Sequence, residues 1–294
     1  MQNLLAFAIV GFGAQLVDGA LGMAFGVTAS TLLLVNGLTP ALASASVHLA
    51  ELGTSLASGA AHWRFRNVDW RLVGRLGVPG AVGAFLGATA LSSISTEVAV
   101  PWTASVLLLL GAYILVRFSL RAPRVRVAST SPHRRRFLAP LGLTAGFIDA
   151  TGGGGWGPVS TSTLLSVGRV APRQVVGSVD TSEFLVAAAA SVGFVIGLRG
   201  QGISAITVLG MLVGGVLAAP LAAWLVRRLP VAVLGTAVGG LLVLTNTRTL
   251  LTAFDLTGGR TPLYTTIVLG WAALLLVAVN QTRRGRVPLP ETTA

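Results

Sequence analysis

Five carboxylates sit inside apolar stretches of this 294-residue chain: Asp18, Glu51, Asp149, Asp180 and Glu183. A charge at the centre of a bilayer-length helix costs about 2.5–3.5 kcal/mol on insertion scales, so carboxylates there usually serve a site or a proton path. Two of them are followed at once by glycine-rich breaks. The first reads Asp18-Gly19-Ala20-Leu21-Gly22-Met23, and the second Asp149-Ala150-Thr151-Gly152-Gly153-Gly154-Gly155-Trp156-Gly157. A helix restarting near Gly22 or Gly157 would present unpaired N–H groups and the positive end of its dipole. Glycine would let a ligand approach that backbone closely, a combination that suits an anion. Thr28, Ser30 and Thr31, and Ser160 to Thr163, add hydroxyls nearby. The competing reading is close helix packing by small residues.

An ionised Asp18 or Asp149 would repel an anion. Either the carboxylate caps the restarting helix, or it carries a proton, because burial disfavours the charged form. Both readings remain open on the sequence. His48 lies three residues before Glu51, and Asp180 three before Glu183. That spacing puts each pair on one helix face. Each half thus has a titratable pair suited to relaying protons, or a buried pair that fixes helix packing. The candidate substrate-binding set is Asp18, Gly19, Gly22, Met23, Thr28, Asp149, Thr151, Gly153, Gly154, Gly155, Trp156 and Ser160. The candidate proton-coupling set is His48, Glu51, Asp180 and Glu183.

The elements that must position these groups are membrane helices. The chain is 53% hydrophobic and 10% charged, against about 25% charge in soluble domains. Apolar spans are predicted at Asn3–Val17, Gly22–Val35, Ala41–His62, Leu72–Leu91, Val98–Val116, Phe137–Asp149, Gly157–Val167, Gln174–Leu198, Ser204–Val226, Val231–Leu251 and Leu263–Gln281. Several approach the ~20 residues a crossing needs. The four flanking Asp18 and Asp149 are shorter and read as short tilted crossings or re-entrant hairpins. The N-terminus has no basic region or cleavage site and reads as a retained span rather than a signal peptide. With no cysteine and three histidines, a thiolate or imidazole-rich metal site is not expected. No Walker motif, Gly-x-Ser-x-Gly motif or metal-ligand histidine spacing is present. The chain is therefore not expected to be an enzyme or to need a cofactor.

The basic excess, a net +12, is all arginine. It sets orientation better than it suggests nucleic acid. With the Arg117–Arg136 loop inside, every arginine except Arg199, Arg248 and Arg260 also falls inside, as the positive-inside rule requires. The N-terminus is then outside and the C-terminus cytoplasmic. His62, Trp63 and Arg64 read as interfacial anchors.

The halves are related. At an offset of 131, Gly11, Asp18, Gly22, Gly26 and Gly37 match Gly142, Asp149, Gly153, Gly157 and Gly168. One residue further on, Pro40, His48, Glu51 and Ala57 match Pro172, Asp180, Glu183 and Ala189. Arginine content reverses between equivalent loops: Asn36–Ala41 has none and Gly168–Arg173 two. The predicted fold is an all-α polytopic membrane protein of two inverted-topology repeats with Gly-broken or re-entrant helices, plus one C-terminal helix. Repeat 1 covers 1–116, a basic cytoplasmic linker 117–136, repeat 2 137–251, the final span 252–282 and the tail 283–294. Paired broken helices in inverted repeats are the sequence pointer to a carrier's substrate site.

The twin Gly-rich breaks after Asp18 and Asp149, the Pro40 and Pro172 turns, and the following helices with Glu51 and Glu183 together resemble the TauE/SafE family of sulfite and organosulfonate transporters. The first break has fewer glycines than is typical of that family. The resemblance implies a plasma-membrane protein moving sulfur oxyanions or small carboxylates. Its partners would be a small anion and the lipid bilayer, not nucleic acid, and a homo-oligomer is compatible with it. An anion channel with the same breaks is the alternative, and an intramembrane enzyme the weaker one.

Overall fold

The computed structural model describes residues 4–21, 23–120, 135–167, 170–199, 202–226, 230–256 and 258–284. Most of the 117–136 linker, nearly all of the C-terminal tail, and Gly22 lie outside the described residues. Among the described residues every regular element is helical. The order is α1 (Leu4–Leu21), α2 (Phe25–Val35), α3 (Pro40–Arg64), α4 (Trp70–Leu72), α5 (Val78–Ser93), α6 (Thr96–Leu120), α7 (Arg135–Gly152), α8 (Ser162–Val167), α9 (Pro172–Gly197), α10 (Ala205–Val226), α11 (Val231–Ala253) and α12 (Arg260–Arg284). A π-helical stretch, Val73–Gly77, joins α4 to α5, and another, Gly157–Thr161, leads into α8.

Five stretches are long and apolar enough to cross a bilayer: Trp70–Ser93, Thr96–Leu120, Arg173–Gly197, Val231–Ala253 and Arg260–Arg283. The chain is an all-α polytopic membrane protein. The short segments have a physical limit. α2 has 11 residues, about 16 Å at 1.5 Å per residue, roughly half a ~30 Å hydrocarbon core. The stretch 157–167 has the same length. Neither crosses a bilayer alone.

The breaks also fall later than the carboxylates. α1 continues through Asp18 to Leu21, and α7 through Asp149 to Gly152. Each aspartate occupies the last turn of the incoming helix, from which its side chain reaches forward over the break. Pro40 and Pro172 each open a helix, where the missing N–H costs nothing. Thr39 caps α3 by accepting from Leu42 N.

Packing pairs the halves. α1 lies against α10 and α7 against α5, while α3 packs on α9 and α6 on α11. Small residues allow these approaches: a Cβ on Gly11 would overlap the Met211 backbone, and one on Gly142 the Leu76 backbone. α3 and α9 run antiparallel. His48 stacks near Phe194, Gly59 faces Thr181, and His62 lies over Gly177. α12 stands outside on α11 and α6, pinned where Trp271 Nε1 donates to Thr236 O at 3.0 Å. Large apolar side chains such as Leu109, Leu217 and Leu269 face outward, as lipid contact requires.

Candidate functional site

The two breaks meet. A Cβ placed on Gly26 would lie 2.7 Å from Gly154 Cα and 3.0 Å from both Gly153 O and Glu51 Oε1. A Cβ on Gly154 would overlap the Gly26–Val27 peptide. Only glycine fits at this crossing, and the second break also needs positive φ at Gly153 (71°) and Gly154 (153°). The first break manages its turn with Ala24 at φ 97°, a left-handed conformation that strains an L side chain.

The same hydrogen bond recurs in both halves. Asp18 Oδ1 accepts from Phe25 N at 3.1 Å, and Asp149 Oδ1 accepts from Trp156 N at 2.9 Å. Residues 18 and 149, and 25 and 156, are each 131 apart. Each carboxylate therefore satisfies the first exposed N–H of the restarting helix. The break carbonyls are held as well. Ser30 Oγ donates to Gly153 O, Ser44 Oγ to Ala150 O at 2.7 Å, and Thr103 Oγ1 to Thr151 O at 2.8 Å. These bonds tie the second break to α2, α3 and α6.

Beyond the caps the halves differ. His48 Nδ1 donates to Ser44 O at 2.8 Å, and Nε2 lies 3.1 Å from Asp149 Oδ2, with both side chains buried. The pair thus shares a proton between Nε2 and Oδ2. At the position equivalent to His48 stands Asp180. Its Oδ2 accepts from Ser58 Oγ at 2.5 Å and lies 3.7 Å from His62 Nε2.

Between the breaks lies a cavity lined by Asp18, Glu51, Asp149, Asp180 and Glu183. Met23 to Val27, Gly154 to Pro158, Thr161, Val176 and Val179 complete it. All five membrane carboxylates face it. The free room is on the scale of one water, so the breaks are closed on each other in this conformation. Trp156 forms a fixed wall: it is fully buried and its Nε1 donates to Val179 O at 3.0 Å. Among the described residues the Glu51 carboxylate accepts no hydrogen bond, although the residue is only 3% exposed; Ser55 Oγ donates to its backbone carbonyl instead. Gly26 and Val27 stand in the first turn of α2, where the N–H groups have no intrahelical acceptor. No three of His, Asp or Glu converge to hold a metal ion among the described residues.

Of the sequence-nominated residues, Asp18, Met23, Asp149, Gly154, Gly155, Trp156, Glu51, Asp180 and Glu183 converge on the cavity. Gly153 sits just behind, its carbonyl bound to Ser30. Thr151 turns back to Phe147 O at 2.8 Å. Thr28 and Ser160 are buried, their hydroxyls have no partner among the described residues, and they do not line it. Gly19 lies in α1. His48 stands behind Asp149, on which its Nε2 bears. Sequence reading missed Gly26, which supplies the crossing point; its match to Gly157 was the available signal. It also missed the His48–Asp149 pair, which joins the two halves and has no local spacing to reveal it.

A family model described as "Sulfite exporter TauE/SafE" matches residues 7–249. The chain belongs to the TauE/SafE family. It is also 47% identical over 282 residues, 96% of this chain and 94% of the other, to the "Probable membrane transporter protein YtnM" of Bacillus subtilis (strain 168). No solved structure matches the chain. The matched TauE/SafE region contains both breaks, all five cavity carboxylates and the helices that carry them, and ends in α11. α12 lies beyond it. As a TauE/SafE member the chain is a multi-pass membrane protein of a transporter family, not an enzyme.

Proposed function

We propose that this chain is a secondary transporter that moves a small anion, of the sulfite, organosulfonate or small-carboxylate class, across the plasma membrane in exchange for or together with protons. The observation that carries this reading is the convergence of both glycine breaks and all five membrane carboxylates on one closed cavity. The anion would sit at the crossing, against the Gly26 and Val27 N–H groups and the small residues Gly154 to Gly157. Its neighbours Asp18 and Asp149 spend one oxygen each on a helix cap, which lowers but does not abolish their repulsion. Protons on Glu51, Glu183 and Asp180 would neutralise the other three carboxylates, so anion entry and proton entry are linked by charge. A cavity with free room for only about one water suits a carrier that opens to one side at a time better than a continuous anion channel.

The inverted-repeat organisation is part of this proposal. It is supported by the matched caps at Asp18 and Asp149 and by the reciprocal pairing of α1 with α10 and α7 with α5. The repeats would run over 1–116 and 137–251, with the basic linker and C-terminus cytoplasmic. The decisive assay is counterflow in proteoliposomes loaded with sulfite, sulfonates and small carboxylates. Trans-stimulated exchange is expected. Flux that neither saturates nor responds to internal anion would make the chain a channel instead.

A further inference from the structure

The repeat relation breaks down at one place that faces the membrane surface. On α3, His62 ends one side of the α3–α9 crossing; its equivalent on α9, 132 residues later, is Phe194. Each lies beside the other helix's ionisable residue. His62 Nε2 is 3.7 Å from Asp180 Oδ2, and the Phe194 ring is 5.9 Å from that of His48. The two ends differ in access. The His62 and Asp180 side chains are 26% and 24% exposed, whereas His48 and Phe194 are fully buried.

We infer that His62 and Asp180 form the proton route between the cavity and the membrane face carrying Arg64 and Arg66, while Phe194 seals the equivalent route to the opposite face. The inference deepens the proton-coupled carrier reading and rests on it. His62 is at interfacial depth: the neighbouring Trp63 and Trp70 are exposed, and the helix ends two residues later in a polar turn. Its seat is built. A Cβ on Gly177 would come within 3.0 Å of His62 Nδ1 and 2.6 Å of Asn67 O, and Ser178 Oγ accepts from Asp69 N at 2.8 Å. Asp180 lines the cavity with its other surface.

As the 3.7 Å gap closes to hydrogen-bond length, the Nε2–H bond of a protonated His62 breaks and an O–H bond forms on Asp180 Oδ2; the ring then swings back and a hydronium ion from the surface returns a proton to Nε2, leaving water. Proton release runs the same steps backwards. The charged groups around the route are Asp180 and Glu183 on α9, Asp18 on α1 and Glu51 on α3. Arg64 and Arg66 follow His62, and Asp69 is occupied by the Arg71 and Leu72 N–H groups. Among the described residues no arginine lines the cavity to compete with His62 as its link to that face.

The test uses the full chain in lipid nanodiscs, following the carboxylic-acid infrared band after a rapid drop in pH. His62→Gln should slow appearance of the band at least tenfold and leave its final amplitude unchanged. His62→Ala should be equally slow and recover with added imidazole, which a purely structural role would not allow. In liposomes with a trapped pH dye, Phe194→His should leak protons at least tenfold faster than the parent chain. His62→Gln in the same chain should suppress that leak. His62→Gln protonating at the parent rate, or a Phe194→His chain as proton-tight as the parent, would overturn the inference. Neither readout uses a transported anion, so loss of trans-stimulated exchange would remove the carrier reading separately.

Discussion

Gly154→Ala tests the meeting of the two breaks most directly. The added methyl group would overlap the Gly26–Val27 peptide, which is backbone and has no rotamer into which to retreat. Overpacking of this kind costs about 1–3 kcal/mol. The residue also has φ 153°, where an L side chain adds about 1–3 kcal/mol of strain. Together they give roughly 2–6 kcal/mol. At roughly 2 °C per kcal/mol for a chain of this size, the melting temperature in detergent should fall by about 4 °C or more. Counterflow should fall with it, because the methyl group stands at the crossing where the anion is proposed to bind. Gly13→Ala is the control. It lies within α1, where its Cβ would meet nothing within 4 Å, and removing a mid-helix glycine should stabilise by about 0.5–1 kcal/mol. If Gly154→Ala melts and transports like the parent chain, the breaks do not touch and the shared site is wrong.

Removing the two caps should have unequal effects. Asp18→Ala removes the cap on Phe25 N and should cost about 0.5–2 kcal/mol. Asp149→Ala also strands buried His48, and breaking such a pair costs about 3–5 kcal/mol; equal melting temperatures would contradict the pairing. Ala24→Gly should relieve the left-handed strain at φ 97° and raise stability by about 1 kcal/mol, with a lower melting temperature counting against that strain. Glu51→Gln and Glu183→Gln should each abolish transport driven by a pH gradient while leaving protein in the membrane. Gradient-driven uptake at the parent rate in both variants would end their role in proton coupling.

The matched caps help explain why so much of this protein was readable as text. Asp18 and Asp149 stand out because carboxylates are costly in apolar runs, and Pro40 and Pro172 mark helix starts because proline lacks an N–H. The 131-residue offset then aligned Gly26 with Gly157, and an offset of 132 aligned Glu51 with Glu183. Such signals are local, or repeat with a fixed period, so composition and spacing carry them. The all-α membrane class, its spans to within a few residues and its family follow from the same signals.

The tertiary structure decided which of these groups touch. Helical spacing put His48 on one face with Glu51, but only the packed bundle shows its ring also reaching Asp149, with Ser44 O anchoring the other nitrogen. Thr28 and Ser160 looked like donors for the site and are buried away from it, since a residue's position in the chain does not fix which way its hydroxyl points. The crossing of Gly26 over Gly154 depends on contact between segments more than a hundred residues apart, and no local pattern encodes that contact. The sequence determined that this chain must bury its carboxylates within the membrane. Only the packing of α3 on α9, and of one break on the other, decided that all five would share a single cavity.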